Sequence, residues 1–446
     1  MDAKDAELEN CDLDDDPEPQ HYDIGKDMGL PAKIQIVHTQ QNHEMDDDQY
    51  RKSMRTLNIR QSQFVQEVLH HAKTSDEQKC WFLSGGAGVG KTHTSNLLYQ
   101  SLLKFLNKHP GTDPDNPRIL LLGPTGKAAF HIHGNTIHGE LLIPVNQKLQ
   151  FKELDTGMQN TLRTRLKDVK YVFIDEVSMV GNAMCNFVHK RLQEISGSPK
   201  DFGGYSVIFI GDLFQLKPVC DCNIFQNSAI AYQGLGKNLW LNNVSMFELT
   251  DIERQKDETD FAKLLNRLRE GKQTRLDIRI LQTRTDNTSS FAVGSDLHNY
   301  PHLFLENDKV DAHNMQCFLR SHTNKKEIKA IDKVPESMDP NLEKAILKKV
   351  PNNPKKTMHL YSVLQIAEEL KFDISVNVDT KDRLTNGPVC TAKARPTSPD
   401  GKANSTIWVL FDNPEIGKST RLKHNKFYQS NSYTAHFTHF QCGKNE

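Results

Sequence analysis

GGAGVGKT, Gly85 to Thr92, stands between a short apolar run, CWFLS (80–84), and a helical pattern, HTSNLLYQSLLKFL (93–106). It satisfies the spacing G-x-x-x-x-G-K-[ST] in the context that gives the spacing meaning, a strand before it and a helix after it. Glycines let the backbone turn tightly enough for successive N–H groups to face a phosphate, and the N-terminus of the following helix adds positive potential. Lys91 then reaches the β- and γ-phosphates, and the hydroxyl of Thr92 can ligate Mg2+.

Outward from this loop the chain alternates strands with helices. Phe64, Val65, Val68, Leu69 and Ala72 recur at helical spacing before it. After it come the buried-strand runs ILLLG (119–123), YVFID (171–175) and SVIFIGD (206–212), with a helix expected near 181–195. Short apolar strands alternating with helices predict an α/β fold, a parallel sheet flanked by helices. Further on, the pattern predicts a helix near 261–271 and a strand near HLFLEN (302–307). It then predicts a solvated Lys/Pro-rich linker at 348–356 and turn-linked strands near 374–379, 384–387 and 406–412. The last 24 residues, from Lys423, show no usable period.

Hydrolysis needs a metal partner and a way to activate water. FIDEVSM (173–179) offers Asp175 for Mg2+ and Glu176 to polarise the attacking water, with strand alternation expected to separate the two carboxylates. A third strand ends in GDLFQLKPV (211–219), where Gln215 can hydrogen-bond a γ-phosphate or the water beside it. Between these lies GPTGKAAFHIHGNTIHG (123–139), whose small residues, Lys, hydroxyls and aromatic suit a grip on a sugar-phosphate backbone with a stacked base. His131, His133 and His138 lack a carboxylate or Cys at ligand spacing, and the pair Cys220 and Cys222 lacks a second pair. Both read as ordinary loop residues rather than zinc sites.

Composition is consistent with a polyanion partner once it is divided. The 446 residues carry 56 basic and 57 acidic side chains, a net charge of -1. The first 50 hold 15 acidic residues against 3 Lys, a net of -12, which leaves +11 on the remaining 396. That leader is too charged to bury a core and reads as disordered, with ordered patterning from Leu57. No run of 18 apolar residues is available for a transmembrane helix, and the N-terminus lacks the basic and apolar regions of a secretory signal. Eight scattered Cys suggest a reducing compartment. A small GTPase is excluded because no guanine-reading Asn-Lys-x-Asp run is present.

The order of these motifs resembles an ATP-dependent DNA helicase of superfamily one, in the Pif/RecD branch, and more narrowly the Pif-type portion of Helitron transposons, over about residues 49–422. The resemblance implies a P-loop NTPase fold, with a RecA-like domain at 51–248 and a partial second one at 249–370. A β-rich segment would follow at 371–422, then an irregular tail at 423–446. LNIRQ (57–61) matches the Q-motif, implying that Gln61 reads adenine. Motif I implies nucleotide contacts from Gly85, Gly86, Ala87, Gly88, Val89, Gly90, Lys91, Thr92 and His93. Motif Ia and its extension imply single-strand contacts from Pro124, Thr125, Gly126, Lys127, Phe130, Thr136 and His138. FELTDIERQKD (247–257) is similar to motif IV and nominates Arg254 as a γ-phosphate contact, although Glu253 stands where relatives carry an apolar residue.

The implied activity is ATP hydrolysis coupled to 5′-to-3′ movement on single-stranded DNA, with ATP and Mg2+ as cofactors and DNA forks or junctions as partners. A monomer acting in the nucleus, in recombination, repair and telomere maintenance, is the expectation. The family's motif V core, His-Lys-Ser-Gln-Gly, and motif VI run, Ala-Leu-Ser-Arg, do not occur in these residues. The alternative expectation is therefore a truncated transposon-derived protein that binds ATP and DNA without productive unwinding.

Overall fold

The computed structural model describes residues 44–108, 116–144, 151–227, 238–253, 258–283, 302–330, 340–351 and 361–374, and short stretches between 382 and 437. They fall in two compact units. Described residues 327–330, 340–351 and 361–364 form one unit and the others form the second. The smaller unit holds the helix Pro340–Leu347 and a backbone hydrogen bond from Ala330 N–H to the Ser362 carbonyl, 2.8 Å.

The larger unit is built on six parallel strands: β1 (Cys80–Gly85), β2 (Ile119–Gly123), β3 (Asn135–Thr136), β4 (Tyr171–Ile174), β5 (Ser206–Gly211) and β6 (Val244–Leu249). Their order is β3-β2-β4-β5-β1-β6, so the strand feeding the glycine loop lies between β5 and β6. Strands buried on both faces need apolar side chains at every position, which is why ILLLG and YVFI read as unbroken apolar runs. The pleat divides them between two cores. Phe82, Leu120, Leu122, Val172, Ile174, Val207 and Phe209 pack on one face with Val188, Leu192 and Trp240. Trp81, Leu83, Leu121, Phe173, Ile208 and Ile210 pack on the other with Phe64, Val68, Leu98 and Leu102.

Helix ends follow local chemistry. Asn58 and Gln61 form a reciprocal capping box that starts the helix Ile59–Thr74. Gly197, in the left-handed region at φ 70°, ends the helix Asn182–Ser196. Beyond the parallel sheet, Lys371–Asp373, Val389–Lys393, Ile407–Phe411 and Ala435–Phe437 make an antiparallel sheet. Among the described residues no helix is long and apolar enough to cross a membrane.

Four expectations change. Order reaches into the acidic leader: Asp46 caps the helix Asp47–Met54, while Glu44 and Asp47 pair with Lys104 at 3.2 and 2.8 Å. These carboxylates have a cationic partner on a core helix, and the rest of the leader, 1–43, lies outside the described residues. The segment 302–306 is not a strand. Its alternation turns His302 and Phe304 onto His313 of the helix Asn307–Arg320, at ring distances of 4.3 and 5.2 Å, while Leu303 and Leu305 face solvent. Ala435–Phe437, inside the supposedly irregular tail, pairs with Ile407–Val409. The fourth change is in the DE pair, whose two carboxylates both lie beyond the end of β4. Of the strand expected at 374–379, residues 375–379 lie outside the described residues, as do 352–356 of the linker.

Candidate nucleotide site and adjoining strand edge

Apart from the helix start at Asn58–Gln61, the chemistry-bearing segments emerge from one edge of the parallel sheet, the C-terminal ends of the strands. β1 runs into the loop Gly86–Gly90 and then the helix Lys91–Leu106, whose N-cap is Gly90 at φ 85°, ψ 23°. A side chain at Gly90 would be disfavoured by that backbone, and its Cβ would fall 2.4 Å from Gln61 Nε2. Lys91 Nζ donates to the carbonyls of Gly85 and Gly86, both at 2.9 Å, so the ammonium is folded against the loop it serves. Burial pushes its pKa below the usual lysine value, while Asp212, then Glu176 and Asp175, oppose the shift by favouring its charge. Thr92 and His93 are exposed on the first turn, and His93 Nε2 lies 2.8 Å from the Thr56 hydroxyl.

Gln61 is buried, with both ends of its amide engaged. Nε2 donates to the Val89 carbonyl at 3.0 Å, and Oε1 accepts from Asn58 N–H at 3.0 Å. Here it braces the loop's backbone. Glu253, the residue out of keeping with the resemblance, has a specific place. Its N–H donates to Gly88 O at 2.8 Å, and its carboxylate accepts from Asn58 Nδ2 at 2.7 Å. A carboxylate is tolerated there because the helix cap supplies a donor for it. Arg254 lies outside the described residues.

β4 stops at Ile174, so strand alternation is not what parts the two carboxylates. Asp175 follows the strand, its N–H on the Leu122 carbonyl at 2.9 Å, and Glu176 turns the chain in the left-handed region at φ 50°, ψ 46°. A non-glycine residue held there stores about 1–2 kcal/mol of strain, a cost accepted at positions where a side chain must be aimed. Asp175 is buried, and burial first, then the neighbouring Glu176 charge, pushes its carboxyl up to about 6 against a hydrogen bond from Glu176 N–H and the attraction of Lys91. β5 ends at Gly211, followed by buried Asp212 and exposed Gln215, whose N–H donates to the Asp212 carbonyl at 2.9 Å. Asp212 accepts two hydrogen bonds from Arg269, at 2.7 and 2.6 Å.

The donor chemistry here fits Mg2+. A hydroxyl from Thr92 and a carboxylate from Asp175 are hard oxygen ligands, and this ion usually takes few from protein and the rest from phosphate and water. Among the described residues, no group of three or more His, Cys, Asp or Glu forms a ready-made metal cage.

The raised pKa of Asp175 gives a stability prediction. Between the ordinary carboxylate value of 3.8 and about 6 the folded state holds a proton that the unfolded state has lost, so this group's stabilisation disappears as pH rises through 6. At pH 7.5 the ionised carboxylate costs about 3 kcal/mol. Asp175→Asn therefore melts several degrees above the parent at pH 7.5 in metal-free buffer, and the advantage vanishes below about pH 3.5, where both states are protonated. Equal melting temperatures at pH 7.5 would contradict the burial assigned to this carboxyl.

The segment after β2 adjoins these groups. Leu122 pairs with Asn135 and Gly123 with Thr136, which brings Pro124 and Thr136 to neighbouring strand ends. Thr125 Oγ1 accepts from Ala128 N–H at 3.2 Å, and Thr136 Oγ1 from Gly139 N–H at 3.1 Å, so both hydroxyls cap short helical turns. Lys127 is exposed, Gly126 opens the helix Gly126–His131, and burial pushes the half-buried His138 imidazole below its ordinary pKa. Phe130 lies on that helix. Beneath them Arg165 pairs with buried Glu140 at 2.5 Å, and Asn135 donates to the same carboxylate at 2.6 Å. The cap Asn58, Asp212 and Arg269 were not singled out from sequence, and Glu253 stood out only as a departure from the resemblance. Of the three that were missed, Asp212 carried a signal, a carboxylate directly after a buried strand.

The chain is similar to known proteins. The chain is 28% identical over 238 residues to the ATP-dependent DNA helicase Pif1 of Psychrobacter sp., covering 52% of this chain and 33% of that one. It is 30% identical over 198 residues to the ATP-dependent DNA helicase PIF1 of Emericella nidulans, covering 43% of this chain and 24% of that one. The chain thus spans a quarter to a third of the length of these curated relatives. Among solved structures, Pif1 helicase from Candida albicans matches with a TM-score of 0.57 at 19% identity, over 86% of this chain and 78% of that one. A Bacteroides Pif1 helicase in complex with ADP-AlF3 and ssDNA matches with a TM-score of 0.53 at 22% identity, over 80% and 73%. Both likenesses show the α/β P-loop fold. The PIF1-like helicase family model matches residues 56–279, half of the chain, and the chain belongs to that family.

Proposed function

We propose that the chain is an ATP-driven single-stranded DNA motor, a helicase moving 5′ to 3′. The observation that carries this reading is the convergence on one sheet edge of Lys91 and Thr92, Asp175 and Glu176, and Gln215, with the Pro124–His138 segment alongside. In it, Lys91 turns from the loop carbonyls to the β- and γ-phosphates, and the backbone N–H groups of Gly86–Gly90 cradle them. Thr92 and Asp175 would hold Mg2+, which when bound would neutralise phosphate charge. Glu176, aimed by its left-handed backbone, orients and polarises water, and Gln215 hydrogen-bonds that water or the γ-phosphate. Gln61 acts here by bracing Val89, in addition to any contact with adenine, and Arg254 adds a cation from beyond β6.

Pro124, Thr125, Gly126, Lys127, Phe130, Thr136 and His138 form the single-strand contacts in this reading. Lys127 supplies charge, and a neutral His138 offers a ring and one N–H rather than an ion pair. DNA forks and junctions, nuclear action in recombination, repair and telomere maintenance, and a monomeric state belong to the same reading through the resemblance.

A strand-displacement assay tests it. Partial duplexes carrying either a 5′ or a 3′ single-stranded tail are incubated with the chain, ATP and MgCl2. Displacement confined to the 5′-tailed substrate and lost in Lys91→Ala is the expected result. Equal displacement of both substrates overturns the polarity, and displacement that survives Lys91→Ala overturns the motor.

A further inference from the structure

Arg269 stands at the end of the helix Thr259–Arg269, outside every motif, yet its guanidinium lies at the nucleotide site. Nε and Nη2 bond the two oxygens of Asp212 at 2.7 and 2.6 Å, and Asp212 is 1% exposed. The guanidinium plane sits over Phe214, 4.6 Å from the ring centroid, which fixes its orientation. The helix is also close-fitted to the phosphate loop. A Cβ at Gly86 would fall 3.1 Å from Asn266 Oδ1 and 3.7 Å from Arg269 Nη1.

Asp212 therefore acts on two cations, Arg269 in direct contact and Lys91, whose charge it favours ahead of Glu176 and Asp175. A carboxylate this buried must be compensated. With Arg269 in place its charge is answered. Without Arg269 it turns its whole field on Lys91, the ammonium a γ-phosphate needs. ATP brings more negative charge to that point than ADP does, so an unanswered Asp212 opposes ATP more than ADP.

We propose that Arg269 is a positioning residue that neutralises Asp212 and so keeps Lys91 available to the γ-phosphate, making the preference for ATP over ADP depend on the helix Thr259–Arg269. The inference rests on the reading of the glycine loop as an ATP site.

The test uses the full chain with MgCl2, following displacement of a fluorescent ADP analogue by ATPγS and by ADP, with thermal melting alongside. Arg269→Gln is expected to weaken ATPγS about 10- to 30-fold while ADP changes less than about 3-fold. Arg269→Lys, which keeps the charge but not the fork, falls between. The double variant Arg269→Gln with Asp212→Asn returns ATPγS to within about 3-fold of the parent, because the opposing carboxylate is gone. A merely structural role predicts instead a lowered melting temperature, equal losses for both nucleotides and no recovery in the double variant, and that result overturns the proposal. If Lys91→Ala binds ATPγS as tightly as the parent, the ATP-site reading itself falls and the inference with it. Lys91-dependent binding with unchanged discrimination in Arg269→Gln overturns the inference alone.

Discussion

Lys91→Ala lowers ATP turnover by about 10²- to 10³-fold and leaves the fold intact. The loss is large because the ammonium is the cation on the loop itself, held within 2.9 Å of the Gly85 and Gly86 carbonyls before any phosphate arrives. The fold survives because this charge is not a source of stability. Burial depresses the Lys91 pKa, so the folded state holds its proton less tightly than the unfolded chain does, and the ionised group works against folding at neutral pH. Steady-state ATP hydrolysis and thermal melting check both halves. A melting temperature below the parent's would show that the loop needs the lysine to fold, and turnover within about 3-fold of the parent would remove Lys91 from the chemistry.

Glu176→Gln separates binding from chemistry. The amide keeps the side chain's length and the left-handed backbone but cannot take a proton, so kcat falls by about 10²- to 10⁴-fold with KM for ATP changed by less than about 3-fold. Glu176→Gly supplies a second signature. Glycine relieves the strain at φ 50°, so this variant is expected to melt higher than the parent while turnover is lost. An activity loss accompanied by a lower melting temperature would mean that Glu176 is there for packing. A Glu176→Gln enzyme with parental kcat would move the general base elsewhere.

The strands that build the core were legible because each is buried on both faces and therefore apolar throughout, as in ILLLG and SVIFIG. β6 was not. It is an edge strand with only its last residue, Leu249, fully buried, and VSMFEL offers no buried run to read. HLFLEN misled for the opposite reason. Its apolar residues alternate as a strand's would, but His302 and Phe304 cover a helix and the leucines between them face water. At the site, the glycine loop, the DE pair and the GD turn were legible because each motif is local in sequence and ends a core strand. Arg269 was not, since a basic residue on an amphipathic helix looks the same whether it meets solvent or a buried Asp 57 positions away. The bond between Asn58 and Glu253 spans 195 residues and left only a negative trace, an acidic side chain where the resemblance expected an apolar one.

The most direct measurement is ATP hydrolysis by the full chain in MgCl2 as single-stranded DNA is titrated in, with Lys91→Ala as the blank. Coupling between the Pro124–His138 edge and the loop predicts a rate that rises at least about 10-fold to a plateau as DNA saturates, with the Lys91→Ala rate flat and near background. A parent rate indifferent to saturating DNA, or a DNA-stimulated rate that persists without Lys91, would contradict the account.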